Sequence, residues 1–262
     1  MTELVLDDRV HGLLELAGVG VRTGCRPILD GVSLAVDPGE LVAVIGPTGS
    51  GRATLLDAIG GLVPLATGTV RLGGRDVTRS HPAERVRHGL GRTFRTATPL
   101  PAATVLEAVA LAARLAAEYP LRLALSAASV PRAAAARERL RRVLEATRLA
   151  ELAGHPVAGL PLAYRRRLDL ARALASGPRL LLLEHPWEGL GRAERLEHAT
   201  MLHELSLAGM TLLLVEDDVG LAAELATRVL VMERGRIVAD GAPDAVGGTP
   251  AARRAMAGRM RA

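Results

Sequence analysis

The chain has 262 residues, 49% of them hydrophobic, with a mean hydropathy of +0.22, which is enough for one large packed domain and too apolar for a disordered chain. Its formal charge is +5, every basic residue is arginine, and Lys, Asn and Gln are absent; with aromatics at 2% the stacking platforms of single-strand nucleic-acid binders are missing, so no nucleic-acid partner is expected. The scattered arginines read as a solvated basic surface, with attraction toward an anionic membrane surface or an acidic partner as the alternative.

From the N-terminus, "MTELVLDDRV" has no basic region followed by an apolar one, so no signal peptide is expected and a cytoplasmic location follows. "LLELAGVGVRTG" at 13–24 reads as a hairpin-like, half-exposed piece. The lone Cys25 cannot form an internal disulfide, and no His/Cys cluster has zinc-ligand spacing. "DPGE" at 37–40 is a turn, "LVAVI" at 41–45 a buried strand, and a helix is expected from about Ala53 to Ile59. "GTVRLGGRDV" at 68–77 is a second hairpin-like piece.

From about Thr93 to Pro178, Ala, Leu and Arg dominate, and "AAAARERLRRVLEATRLAELAG" carries an amphipathic helical period closed by Gly154, so this region reads as a helical insertion. "LLLL" at 180–183 and "TLLLV" at 211–215 are further buried strands, followed by helices at Arg192–Leu207 and Val219–Leu225. After "RIVADGAPDAV", the tail "GGTPAARRAMAGRMRA" reads as a short terminal helix. The apolar runs are strand-length, and the Ala/Leu-rich stretch after Glu107 is broken by Arg114 and Glu118, so any membrane role is peripheral. Strands alternating with helices imply an α/β fold.

The stretch "GPTGSGRAT" carries the chemistry. Gly46 and Gly51 keep the spacing of a phosphate-binding loop, directly after a strand and opening a helix. Glycines let the N–H groups of residues 46–54 (Gly46, Pro47, Thr48, Gly49, Ser50, Gly51, Arg52, Ala53 and Thr54, with Pro47 lacking one) converge, and the helix N-terminus adds positive potential, so an anion cradle needs no side chain. The position of the phosphate-binding Lys is Arg52, a larger planar cation, and the position of the hydroxyl that ligates Mg²⁺ is Ala53.

With these stretches in order, the chain resembles the ATP-binding subunit of an ABC transporter, more narrowly that of a branched-chain amino-acid importer. "LDGVSLAVDPGELVAVIGPTGSG" looks like that family's first strands and phosphate loop, "GRTFRTATPLPAATVLEAV" like its glutamine loop, and "LPLAYRRRLDLARALA" like its signature helix. "PRLLLLEHPWEGL" looks like its Walker B strand with the D-loop, "LLLVEDDVGL" like its switch-histidine loop and "VLVMERGRIVADGAP" like its closing hairpin. The resemblance implies a P-loop NTPase of ABC type: a RecA-like core at about 1–92 and 178–240 with an antiparallel β-subdomain, a helical subdomain at about 93–177 and a tail at 241–262. It also implies ATP and Mg²⁺ as cofactors, membrane permease subunits and a second ATP-binding subunit as partners, and a place on the inner face of the cell membrane.

Position by position the family's reactive groups are substituted. Thr23 stands where the family stacks adenine on an aromatic, and Arg95 where its loop Gln approaches the metal. Glu184 stands for the Walker B aspartate, a weak metal ligand by resemblance, and His185 for the glutamate that polarises water. Asp217 takes the switch-histidine position, where a carboxylate would repel a γ-phosphate by about 1 to 4 kcal/mol at 4 Å, depending on the dielectric. In the signature, Leu160-Pro161-Leu162-Ala163-Tyr164, Pro161 replaces the Ser that faces the partner's nucleotide, Ala163 narrows a glycine approach, and Pro161 is expected as the first residue of the following helix. The pattern implies a cassette with weakened nucleotide binding and hydrolysis impaired or absent, or else a non-catalytic scaffold; a nucleic-acid-associated ATPase of related fold is disfavoured, with no coiled-coil insertion or second cassette visible.

Overall fold

The computed structural model describes residues 12–96, 103–116, 130–250 and 252–253. The N-terminal decapeptide, part of the glutamine-loop stretch and most of the expected terminal helix lie outside them. Strands β1 (Leu14–Thr23), β2 (Arg26–Val36), β4 (Thr67–Leu72) and β5 (Arg75–Asp76) form an antiparallel sheet in the order β2-β1-β4-β5. Strands β3 (Leu41–Ile45), β6 (Leu90–Arg92), β7 (Leu180–Glu184), β8 (Thr211–Val215), β9 (Arg228–Glu233) and β10 (Arg236–Gly241) form the second sheet, ordered β10-β9-β3-β8-β7-β6 and parallel except for β10.

The apolar runs of β3, β7 and β8 are continuous because both faces of this sheet are covered. Leu41, Ala43, Ile45, Leu181, Leu183, Leu212 and Leu214 face one core, shared with helices α3 (Val105–Ala116), α5 (Leu162–Ala175) and α6 (Arg192–Leu207). Val42, Val44, Leu180, Leu182, Leu213 and Val215 face the other, shared with α1 (Arg52–Gly60) and the antiparallel sheet. Period-two alternation along each strand divides its side chains between these cores. Helices α7 (Val219–Leu225) and α6 have the bounds expected from the sequence. β6 and the short α2 (Pro82–Arg87) carry no sequence signal strong enough to place them.

In the insertion, α4 (Val130–Ala146) ends well before Gly154, which corrects the expected helix end. Arg148 adopts a left-handed conformation (φ 55°), and Leu149 donates its N–H to the carbonyl of Leu144 at 2.7 Å while its side chain is fully buried. This is a glycine-type C-cap built on an arginine, with the hydrophobic contact that accompanies such caps supplying the compensation. A second correction concerns Pro161: it is the N-cap of α5, not its first helical residue, and its carbonyl accepts from Arg165 N–H at 3.0 Å. Beneath α1, the buried Arg85 donates to the carbonyls of Ala58 (2.8 Å) and Ile59 (2.7 Å), so a cation closes the helix's negative end.

Candidate active site

Strands β3, β8, β7 and β6 are neighbours, and the chain leaves each of them at its carboxyl end, where α/β sheets place ligands. The phosphate loop follows β3, Arg95 lies beyond β6, His185 follows β7 and Asp217 follows β8. Sheet order therefore gathers the phosphate loop with Arg95, His185 and Asp217.

The loop keeps its glycine geometry. A Cβ on Gly46 would stand 2.2 Å from the Met232 carbonyl oxygen, so nothing larger fits there, and Gly51 caps α1 in a left-handed conformation (φ 101°). Gly51 lies against Ile28 and Leu29 of β2, and Gly235 N–H donates to the Ser50 carbonyl at 2.8 Å, so the antiparallel sheet and the β9–β10 turn brace the loop. Pro47 carbonyl accepts from Ser50 N–H at 3.0 Å, while Thr48, Gly49 and Ala53 are exposed and Thr54 is half-buried. Ser50 is 2% exposed and its Oγ has no hydrogen-bond partner.

Arg52 does not point out of the loop. Its guanidinium is buried and crosses to the end of β8, donating from Nη1 to the Glu216 carbonyl (2.6 Å) and from Nη2 to Asp217 Oδ1 (2.6 Å). Two residues 165 positions apart in sequence thus satisfy each other. Burial pushes the Asp217 carboxyl up, but the hydrogen bond and charge of Arg52, with His185 and Arg95 behind them, hold it below its ordinary value. His185 is buried in a left-handed conformation (φ 46°) uncommon for a non-glycine residue. Its Nδ1 is 3.7 Å from both Glu216 Oε2 and Asp217 Oδ2, so the imidazole sits between carboxylates. Glu216 Oε2 accepts the N–H groups of Asp217 (2.6 Å) and Asp218 (3.1 Å), fixing the switch turn.

Glu184 is also taken. Arg92 Nη2 bridges Glu184 Oε2 at 2.9 Å and Asp57 Oδ1 at 2.7 Å, with its guanidinium 4.7 Å from the Phe94 ring centroid. Arg95 forks Glu188, with Nε donating to Oε2 at 2.7 Å, and Arg166 donates to the carbonyls of Arg95 (2.6 Å) and Glu188 (3.2 Å), tying the two loops together. Resident Mg²⁺ does not fit these residues. Ala53 offers no hydroxyl, Glu184 already carries a guanidinium, and among the described residues no group of three or more His, Cys, Asp or Glu could hold a metal. The phosphate cradle, by contrast, fits an anion.

Thr23 and the signature are placed by other elements, the β1–β2 turn and the start of α5. Thr23 is exposed at the β1–β2 turn, paired with Arg26. Leu160 and Ala163 are buried, Pro161 is exposed, Leu162 packs against Gly189, and Tyr164 is stacked with Arg167 at 5.0 Å. Sequence reading missed Arg92, Asp57, Glu188 and Glu216 as members of the site. An arginine two residues before the exposed Phe94 gives no local sign of the two carboxylates it joins.

Beside α5 a cleft of about 440 Å³ opens, lined by Arg87, Phe94, Leu115, Asp169 and Arg172. Burial pushes the Asp169 carboxyl up to about 6 against the opposing pull of Arg172, Arg166 and Arg165. The fold therefore favours the protonated acid, and this residue's contribution to stability falls as pH rises from about 4, the usual carboxylate value, to about 6. Asp169→Asn is expected to be more stable than the parent by up to about 3 kcal/mol at pH 8 and equal to it near pH 4. Urea denaturation at the two pH values checks this; a deficit for the variant at pH 8 would show that the Arg172 contact outweighs burial.

A two-sheet α/β core with a glycine phosphate loop, an inserted helical region and a site at the strand ends defines a P-loop nucleotide-binding domain of ABC type. The chain belongs to the ABC transporter family, whose family model matches residues 29–188. It is 39% identical over 240 residues to the Fe(3+) ions import ATP-binding protein FbpC of Streptomyces avermitilis, covering 91% of this chain and 65% of that protein, so it spans about two-thirds of that relative's length. It is 31% identical over 215 residues to the probable branched-chain amino acid transport ATP-binding protein LivG of Methanocaldococcus jannaschii, covering 81% of this chain and 83% of that one. A solved ATP-binding cassette of an ABC transporter in its ADP conformation superposes with a TM-score of 0.82 at 26% identity, covering 97% of this chain and 100% of that one. Relatives named for iron and for amino acids stand side by side, so similarity singles out no cargo. Among the described residues no helix is long and apolar enough to cross a membrane.

Proposed function

We propose that this chain is the cassette subunit of an importer, of the branched-chain amino-acid type, whose own nucleotide site does not turn over ATP. The observation that carries the reading is the 2.6 Å hydrogen bond between Arg52 and Asp217, which joins the residue meant for the β- and γ-phosphates to the residue meant for the γ-phosphate. The arginine on Glu184 supports it, since the carboxylate that stands for the metal-holding aspartate is already paired. The amino-acid cargo rests on the quoted motifs and on LivG. In this reading the chain sits at the inner face of the cell membrane on permease subunits, paired with a second ATP-binding subunit, and serves by docking and by nucleotide occupancy.

Purified protein, alone or with an intact cassette as partner, is expected to release phosphate from Mg-ATP at least about 10³-fold more slowly than an intact cassette. An ordinary transporter rate that disappears in His185→Ala would overturn the proposal. Absence of any nucleotide binding would favour the pure scaffold over the cassette.

A further inference from the structure

The same residues set which nucleotide the loop accepts. We propose that the phosphate loop binds a diphosphate group, as in a nucleoside diphosphate, without a divalent cation, and that the Arg52–Asp217 pair excludes a third phosphate. This rests on the reading of the site as one that does not turn over ATP.

Two observations carry it. First, Arg52 Nη2 and Asp217 Oδ1 are 2.6 Å apart. Charge-assisted contacts are about 2.7–2.9 Å long, so a phosphoryl group placed between these side chains must drive them to more than twice their present separation. The third phosphate has to break the pair and then faces the Asp217 carboxylate, whereas a diphosphate held by the loop leaves the pair intact. Second, the carboxylate that stands for the metal-holding aspartate is taken by a protein cation: Glu184 pairs with Arg92 Nη2, which also reaches Asp57, and Ala53 supplies no ligand. A diphosphate is received by the glycine loop, braced against Ile28, Leu29 and Met232, and by the first N–H groups of α1, at Arg52, Ala53 and Thr54, which have no acceptor within the helix.

The test is calorimetric titration of the full chain with ADP, ATP and sodium pyrophosphate, each in EDTA and in excess Mg²⁺. The expected result is ADP binding in EDTA that changes by less than about threefold with Mg²⁺, ATP binding at least about tenfold weaker, and displacement of ADP by pyrophosphate. In Asp217→Ala, and in Asp217→Asn as the shape-conserving control, ATP is expected to gain at least about tenfold while ADP stays within about threefold, because Arg52 is then free to meet a third phosphate. The proposal is overturned by ATP binding as tightly as ADP, by ADP binding that requires Mg²⁺, by pyrophosphate failing to compete, by an unchanged ATP-to-ADP ratio in both folded variants, or by no binding at all. None of these results concerns turnover, so the inference can fail while the non-hydrolytic reading stands, and phosphate release from Mg-ATP would sink that reading separately.

Discussion

Full-chain protein carrying Arg52→Lys, Ala53→Thr, His185→Glu and Asp217→His together is expected to hydrolyse Mg-ATP at least about 10²-fold faster than the parent, while each single reversion stays within about threefold of it. The four positions are coupled through contacts. Lys at position 52 replaces a fork that now holds both the Glu216 carbonyl and the Asp217 carboxylate, and its single ammonium is still drawn to Asp217. Glu at position 185 would bring a third carboxylate to within about 4 Å of Glu216 and Asp217, where like charges raise one another's pKa and the general base is lost to protonation. Histidine at position 217 removes one of those two carboxylates and frees the cation at position 52. Arg52→Lys with Ala53→Thr is expected to restore Mg-ATP binding before turnover. Initial rates of phosphate release across the single, double and fourfold variants measure the coupling, and a gain of 10² from any single reversion would show that the remaining substitutions are tolerated.

Arg92→Met is expected to destabilise the protein by about 3 kcal/mol, because breaking a buried ion pair leaves an uncompensated charge. The Arg92 side chain is 9% exposed and Glu184 12%, while Asp57 at 33% is solvated enough to keep the loss at the lower end of the usual range. The partly lost stacking on Phe94 adds to it. Adding Glu184→Gln is expected to recover more than about 1 kcal/mol, since the charge left behind is then gone. Millimolar Mg²⁺ should stabilise Arg92→Met and leave the parent unchanged, because only the variant presents two unpaired carboxylates to a cation. Urea denaturation of the parent, both single variants and the double variant closes the cycle; additive effects would place the destabilisation in packing and not in the ion pair.

Much of the fold was legible along the chain. The runs at 41–45, 180–183 and 211–215 announced buried strands because both faces of the sheet are covered, and the phosphate loop declared itself through glycine spacing after a strand. The end of α4 was not legible, because a left-handed cap is usually signalled by glycine and here Arg148 fills it, compensated by the buried Leu149. The short β6 was hidden for another reason: three residues carry too little periodicity to read, and their pairing with β7 spans about ninety positions.

The sequence by itself determined the family pattern and the glycine spacing of the phosphate loop, and it singled out the positions where the family's reactive groups are expected. Those are properties of local spacing and residue type. Only the tertiary structure decided that the replacements face one another, Arg52 with Asp217, His185 between Glu216 and Asp217, Arg92 between Asp57 and Glu184. A strand order of β3-β8-β7-β6 brings together loops from distant parts of the chain, and charges so placed neutralise one another at distances that no periodicity in the sequence encodes.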